Sequence, residues 1–434
     1  MVVEKPIKTE EAIERATPVD IEIGPEQDPN VQLMDDGSAV VGGVPEQPQM
    51  AFGSNLADFM SEDDLMNIAS ELIGKYDEDK TSRKDWEETY TKGLDLLGFK
   101  YEERSQPFQG ASGVTHPVLA EAVTQFQAQA YRELLPAGGP VRSQIVGKED
   151  TLKQQQAERV QEFMNYQIMH VMEEYDPELD QMLFHLPLAG SAFKKVYFDT
   201  NIGRAVSKFV PADDLVVPYN ATDLQSSERV THVIRRSENE IKKMVESGFY
   251  RDVELQMSTE EDTVLNKERE ISGLQKNDYQ NDNFTLLEVH CDLDLPGFEE
   301  DNGVKLPYIV TVDEGSAKVL SIYRNYREND PLARKDQYFV HFKFLPGLGF
   351  YGFGLVHMLG GLSRTATAAL RQLIDAGTLS NLPAGFKARG LRIRDDDSPL
   401  QPGEFRDVDA PSGDLRAGLL PLPYKEPSQT LYAL

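Results

Sequence analysis

The chain has 434 residues, and 44 Lys and Arg against 73 Asp and Glu give it a formal net charge of −29 at pH 7. That charge argues against an ordinary DNA-binding surface, because affinity for a polyanion comes mainly from cations that release counterions. The single cysteine, Cys291, excludes an internal disulfide and a four-cysteine zinc site and is typical of a reducing compartment. No stretch approaches about 18 uncharged apolar residues, and charges interrupt the N-terminal MVVEKPIKTEE, so we expect a soluble protein made in the cytosol.

The first half of the chain has a mostly helical pattern after an acidic start. Residues 1–55 are rich in Asp and Glu, can bury little apolar surface, and are predicted to be disordered. Ser61 followed by three acidic residues predicts the start of a helix. Helical spacing then predicts further elements near 117–135, near 153–174 and over 177–192 with a kink at Pro187, before a strand at 194–198.

The second half alternates strands with turn residues and ends in one long helix. Ser237 and Gly248 predict the start and stop of a short helix, which a polar loop over about 252–283 follows. The patterns LLEVHCDLDL, PYIVTVD, AKVLSIYRNY and QYFVHFKFL predict one antiparallel sheet. The long helix is predicted over 355–379, with the following residues on one apolar stripe: Leu359, Leu362, Ala366, Ala369, Leu370, Leu373 and Ile374.

The segment FLPGLGFYGFG contains G-x-G-x-x-G at Gly347, Gly349 and Gly352, followed by Gly354. A dinucleotide cradle would need a βαβ unit and an acid at the end of the next strand, whereas the strands here have an antiparallel pattern. Aromatic residues fill the gaps between the glycines, which favours a tight turn where rings pack and the backbone passes close by. We expect the structural turn and keep the nucleotide site as the alternative.

Other patterns predict no catalytic residue, no cofactor and no metal. The Gly-Lys pairs lack the remainder of a phosphate loop, and Cys291 beside His290 is a poor dyad because neighbours in a strand point to opposite faces. The seven histidines show no paired ligand spacing. Asp395, Asp396 and Asp397 could hold Mg²⁺, but a carboxylate run beside prolines is more often solvated. These observations indicate an assembly or binding protein, not an enzyme.

The block GLSRTATAALRQLIDAGTLSNLPAGFKARGLRI, followed by PGEFRDVDAPSGDLRAGLLPLPYKEPS, resembles the portal proteins of tailed bacteriophages, in the branch of short-tailed and related marine phages. PVLAEAVTQFQAQAYRELLPAGGPV and the GLGFYGFG turn support the resemblance, which covers about residue 56 to the end. It implies a structural ring, usually of twelve subunits, at one capsid vertex. It also implies that double-stranded DNA passes through the ring without sequence-specific binding.

The resemblance also implies an α+β portal fold with a wing, a stem and a clip. It places the acidic segment at 1–55, the wing at 56–354, the first stem helix at 355–382, the clip at 383–424 and the start of a second stem helix at 425–434. The family continues beyond SQTLYAL, so we expect a truncated gene product that lacks the second stem helix and the crown. The implied partners are further copies of the chain, the large terminase subunit, major capsid and scaffolding proteins, and tail or adaptor proteins; no membrane is implied. The implied location is the virion, after assembly in the cytoplasm of the bacterial host.

Within the implied clip, basic residues precede a run of acids, a polarity that head-to-tail contacts in a closed ring could use. The alternative is a solvated strand face with Leu391 and Ile393 turned inward. The residues predicted at the subunit or motor interface are Lys387, Arg389, Arg392, Arg394, Asp395, Asp396, Asp397 and Arg406.

Overall fold

The computed structural model describes residues 31–33, 39–41, 51–100, 103–148, 150–200, 202–257, 263–274, 283–299, 303–381, 385–387, 392–393, 408–409 and 419–421. The chain divides into two compact units, residues 1–54 and residues 55–434. In the first unit, β1 (Val31–Leu33) pairs antiparallel with β2 (Ala39–Val41). The acidic segment, predicted to be disordered, therefore contains a short strand pair; most of its remaining residues lie outside those described.

The second unit begins with five helices. They follow a 3₁₀ turn at Leu56–Phe59 and are α1 (Glu62–Ser82), α2 (Lys84–Leu94), α3 (Val118–Leu134), α4 (Thr151–Tyr166) and α5 (Tyr175–Ala189). The predicted start at Ser61 is confirmed, because its hydroxyl accepts the Asp64 N–H at 3.2 Å. The helix predicted near 153–174 is α4 followed by a π-helical turn at Gln167–Val171. α5 contains Pro187 and ends at Gly190, whose φ of +89° suits a helix stop.

Strands dominate the next part of the unit. In chain order the elements are β3 (Ser191–Asp199), β4 (Arg204–Pro211), β5 (Leu215–Val216), β6 (Arg229–Ser237), α6 (Glu238–Glu246), α7 (Thr263–Ile271), β7 (Asn283–Leu293), β8 (Leu306–Asp313), β9 (Lys318–Arg324) and β10 (Phe339–Lys343). α6 begins with the capping box of Ser237 and Glu240, and Gly248 beyond it has a φ of +71°, as the pattern predicts.

The strands form two antiparallel sheets, and the single sheet predicted from four consecutive strand patterns is wrong. One sheet has the order β5-β6-β7-β8-β9, and the other has the order β10-β3-β4. β10 leaves the strands that precede it and pairs with β3, with Val340 opposite Lys194. Alternation identifies a strand but not its partner, and here the edge of β3 provides the free backbone groups that β10 needs.

The predicted loop over 252–283 contains α7, so that part of the prediction is wrong. α7 is a nine-residue helix whose Val264 is buried in the main apolar core. Its other residues are largely polar, so the sequence has little apolar periodicity, and burial of one face decides the conformation instead. The core that α7 joins also receives residues from α2, α3, β3 and β6.

The chain then enters α8 (Leu355–Asn381), the longest helix described. Four short strands follow in two antiparallel pairs: β11 (Gly385–Lys387) with β14 (Leu419–Pro421), and β12 (Arg392–Ile393) with β13 (Val408–Asp409). The second pair therefore nests inside the first along the chain. Helices, two antiparallel sheets and this small strand module together make the chain an α+β protein.

Candidate functional site at the base of the long helix

The glycine-rich turn joins the second sheet to α8 and folds back on itself. Phe344 N–H donates to the Gly190 carbonyl at 3.0 Å, and Phe353 N–H donates to the Leu345 carbonyl at 3.0 Å, so the turn closes as a loop of its own. Gly190 is the residue between α5 and β3. The turn therefore binds the chain at the point where that helix becomes that strand.

Three glycines let these two backbones approach each other. A Cβ atom on Gly190 would lie under 3.0 Å from the backbone of Gly352 and Gly354. A Cβ on Gly352 would meet the carbonyls of Gly190 and Leu345, and one on Gly354 would meet the Leu188 carbonyl, again under 3.0 Å. Backbone cannot move away as a flexible side chain can, so glycine is required at all three positions.

The other two predicted turn glycines differ from each other. A Cβ on Gly347 would lie under 3.0 Å from the Tyr351 carbonyl, whereas a Cβ on Gly349 would meet nothing within 4 Å. The crowding predicted at Gly349 is therefore wrong, since its neighbour Leu348 is fully exposed and the tip of the turn faces solvent.

The rings of the turn pack onto β3 and β10. Phe350 is buried and lies 5.9 Å from the ring of Phe193 and 4.7 Å from the ring of His341. The hydroxyl of buried Ser191 accepts Gly352 N–H at 2.8 Å and lies 3.1 Å from Nε2 of His341. Burial, together with Lys343, lowers the pKa of His341 to about 3, so this histidine is neutral in the folded protein near pH 7.

A buried arginine ties the turn to α2 and to the segment before β5. Arg83 Nη1 donates to the Tyr351 hydroxyl at 3.1 Å and to the carbonyls of Ala212 and Leu215 at 3.0 Å each. Burial alone lowers the pKa of Arg83, but Tyr351 and Glu87 outweigh that effect and raise the pKa. The guanidinium therefore stays charged and acts as a fixed donor to the carbonyls of Ala212 and Leu215.

Three backbone amides at the end of the turn are bonded within the protein. Gly352 N–H donates to Ser191, Phe353 N–H to Leu345, and Gly354 N–H to Nδ1 of His357 at 3.1 Å. A phosphate cradle needs such amides free at a helix N-terminus. The strand before the turn, β10, is also antiparallel to β3, whereas a dinucleotide site needs a parallel βαβ unit.

Beyond its first turns, α8 packs through polar side chains against residues 112–116, here named the strap. His116 N–H donates to the Thr367 hydroxyl at 3.0 Å, and Ser112 N–H donates to Asp375 at 2.6 Å. Arg371 donates to the Val114 carbonyl at 2.7 Å. The predicted apolar stripe is therefore not the face that α8 buries most fully: Leu362 is 66% exposed, whereas Ser363 is 0% exposed.

Two of the predicted clip residues fall within the described strands. Lys387 is opposite Leu419, and Arg392 is opposite Asp409 of the same chain. The register therefore pairs Arg392 with an acidic residue of the same chain. Six of the predicted interface residues lie outside the described residues: Arg389, Arg394, Asp395, Asp396, Asp397 and Arg406.

A buried charge cluster, missed in the sequence, links the two sheets. Lys195 on β3 donates to both oxygens of Glu288 on β7, at 2.5 and 2.7 Å, and Nε2 of His290 lies 2.8 Å from the same carboxylate. His232 is the register partner of Glu288 across β6 and β7. The signal was the two-residue spacing of Glu288 and His290, which places both on one face, but the pairing with β6 is not readable from spacing.

The pKa values of this cluster follow from its burial. Burial alone raises the pKa of Glu288, but Lys195 and His290 outweigh it and hold the pKa well below its usual range. Burial lowers the pKa of His290, and burial with Lys195 nearby lowers that of His232 to about 3. Near pH 7 the cluster is therefore a carboxylate–ammonium pair flanked by neutral imidazoles, and it connects the two sheets.

Cys291, on the opposite face of β7 from this cluster, is buried, and burial raises the pKa of its thiol to about 12. Among the described residues, no group of three or more His, Cys, Asp or Glu could hold a metal ion. Within the same residues, no helix is long and apolar enough to span a membrane. No protein-family model matches the chain, and no curated protein matches it at a significant level.

Proposed function

We propose that this chain is the subunit of a bacteriophage portal, a ring at one capsid vertex that conducts double-stranded DNA and performs no catalysis. The observation that carries the proposal is the order of its elements. Helices and antiparallel sheets (the wing, 56–354) lead through a close-packed glycine turn into the long helix α8 (the stem, 355–382), and then into a small nested strand module (the clip, 383–424). Residues 425–434, the predicted start of a second stem helix, lie outside the described residues.

The surface of α8 supports assembly into a ring. Its outward face exposes Met358 by 52% and Leu362 by 66%, while Thr367, on another face, bonds the strap. Exposed apolar stripes on long helices are typical of interfaces between subunits. Head-to-tail contact of such a surface with a different surface of the next copy closes into a ring when the rotation allows.

The net charge of −29 supports a passive conduit. Many cations along a channel would hold DNA by counterion release, whereas an acidic wall leaves the duplex hydrated and mobile. The proposed partners are a separate motor, the large terminase subunit, at the clip, together with major capsid, scaffolding and tail or adaptor proteins. The proposed location is the capsid vertex of the virion after assembly in the host cytoplasm.

Negative-stain imaging and light scattering of the purified chain test this proposal. We expect closed rings with a central hole, of about twelve subunits by the resemblance, and no ATP turnover. Leu362→Glu, on the exposed face of α8, should abolish rings while the circular dichroism spectrum is unchanged, with Arg364→Glu, exposed on another face, as the control. A chain that stays monomeric at every concentration would contradict the ring.

The alternative, a nucleotide-binding enzyme that uses Gly347–Gly352, has a direct test of its own. The bonded amides at Gly352 and Gly354 argue against it. Calorimetric titration with ATP and with NAD should give no heat of binding. Saturable binding that Gly352→Ala removes would favour the enzyme over the portal.

A further inference from the structure

α8 changes its mode of packing partway along its length. Its first turn is anchored by apolar contact: Leu355 and Val356 belong to the main core, and Val356 occupies the space that Gly93 leaves open on α2. Among the residues whose burial is described, Val356 is the last apolar side chain along the chain that is fully buried. Every fully buried side chain beyond it on α8 is polar, namely Ser363, Thr367 and Asp375.

The change falls at two adjacent glycines. A Cβ on Gly361 would meet nothing within 4 Å, and one on Gly360 would make only ordinary contact with Leu96 at 3.6 Å. Neither glycine is therefore required by crowding, unlike Gly352 and Gly354. Each weakens a helix interior by about 1 kcal/mol relative to alanine, and such pairs are where helices kink.

The hydrogen bonds beyond the glycines join polar groups that water can also satisfy. The strap is bound by hydrogen bonds to Thr367, Arg371 and Asp375. Such groups exchange protein partners for water with a small net loss, whereas exposing a large apolar face is costly. The hydroxyl of Ser363 and Nδ1 of His116 are buried here without a hydrogen-bond partner, and opening would let water satisfy both.

We propose that α8 is a hinged arm. Its first turn stays fixed on the wing, while the part from Leu362 onward bends at Gly360–Gly361 and detaches from the strap, so that the strand module after Asn381 has two placements. The bonds to Thr367, Arg371 and Asp375 are the latch that holds the closed position. This inference concerns one chain by itself and does not rest on the portal function.

Spin labels measure the arm directly. Gln372→Cys on the distal part of α8 and Gln129→Cys on α3 place two labels at exposed positions on two different helices. Met358→Cys with Gln129→Cys is the reference pair, since Met358 precedes the glycines and is exposed. The native thiol of Cys291 is buried with a pKa of about 12 and stays unlabelled.

Variants that remove latch bonds should change the distance between the labels of one pair and not of the other. With Thr367→Val and Asp375→Asn, we expect a second, longer distance for the 129/372 pair and no change for the 129/358 pair. Adding Gly360→Ala and Gly361→Ala should remove the longer distance. An unchanged 129/372 distance, equal movement of both pairs, or a longer distance that persists with both alanines would each overturn the hinge.

Hydrogen exchange tests the same idea without depending on the folding of multiple variants. The amides of Ser112 and His116 donate from the strap to α8 and report the detachment of α8 from the strap. In the wild-type chain they should exchange faster than the amides of α2, and Thr367→Val alone should speed His116 exchange by about fivefold, as loss of one hydrogen bond implies. Exchange of these amides at the rate of global unfolding would overturn the proposal.

Discussion

The glycine turn before α8 and the distal part of α8 are held in place by different kinds of contact. At the base, backbone packs on backbone at Gly190, Gly352 and Gly354, and Val356 fills a space on α2. Beyond Gly361, α8 meets the strap through hydroxyl, guanidinium and carboxylate groups. Close packing is intolerant of added volume, while hydrogen bonds exchange easily with water. The start of α8 is therefore held by close packing, and the rest of the helix is held by hydrogen bonds to the strap.

The largest expected effect is at the rigid base. Gly352→Val adds three carbons where a single Cβ already overlaps two carbonyls, so we expect failure to fold or a loss of about 3 kcal/mol in the free energy of unfolding. Gly349→Ala, at the open tip of the same turn, is the matched control and should change little. Urea denaturation measures both; equal destabilisation by the two variants would contradict the packing argument.

A second substitution tests the base from the side of α2. Gly93→Ala places a Cβ under 3.0 Å from the side chain of Val356 and should cost about 1–3 kcal/mol. Val356→Ala in the same chain should recover part of that loss, because it removes the methyl groups that clash. The double-mutant cycle gives the coupling energy. No recovery would mean that Gly93 is needed for another reason.

Low pH should lower the stability of the two sheets that precede α8. Burial and Lys195 lower the pKa of His232 from an ordinary value near 6.5 to about 3. Between pH 6.5 and 3 the folded state holds fewer protons at His232 than the unfolded chain. The contribution of His232 to the free energy of unfolding is therefore full above pH 6.5 and is lost as the pH drops toward 3. The slope for one such group is at most about 1.4 kcal/mol per pH unit.

The measurement is urea denaturation at several pH values. His232→Gln should reduce the slope between pH 6.5 and 3, and His170→Gln, at an exposed position on the π-helical turn, is the control. The other titratable groups near His232 are Glu288, His290, Lys195 and Arg236. A slope unchanged in His232→Gln would show that this histidine does not link protonation to folding.

The sequence predicted local structure well where one residue decides it. Ser61 and Ser237 fixed helix starts, and antiparallel strand patterns were confirmed by the register of each sheet. It failed where the outcome depends on distant partners. Nothing local tells β10 to leave its predecessors for β3, or α7 to form within a polar segment, because pairing and burial supply those energies.

The candidate site shows the same division. Crowding was predicted at the glycine turn, and the contacts at Gly352 and Gly354 are as close as that requires, whereas Gly349 is open. The partner in those contacts, Gly190, is about 160 residues away and gave no signal. The apolar stripe of α8 could be read from the sequence. The burial of a different, polar face of α8 against the strap could not, since periodicity does not say which face is covered.

Loss of a contact between α8 and the strap should cost less stability than the substitutions at Gly352 and Gly93. Thr367→Val removes the acceptor of the His116 amide and should cost about 1 kcal/mol. Thr365→Val is the matched control: Thr365 is exposed on the same helix and bonds only the Gly361 carbonyl, so its loss should stay within about 0.5 kcal/mol. Thermal denaturation resolves the two, and a larger loss for Thr365→Val would reverse the assignment of faces.

The smallest effect is expected in the strand module, where the register places Arg392 opposite Asp409. A cross-strand pair of opposite charges contributes about 0.2–1 kcal/mol, so Arg392→Glu should lower stability only slightly, and adding Asp409→Arg should restore it. If Arg392 instead binds acids of the next subunit, Arg392→Glu will reduce ring abundance, Asp409→Arg will not restore it, and reversal of Asp395 to Asp397 will be needed. Measuring ring abundance and unfolding on the same set of variants separates the two arrangements. Recovery of neither quantity by either swap would mean that the charge of Arg392 is simply solvated.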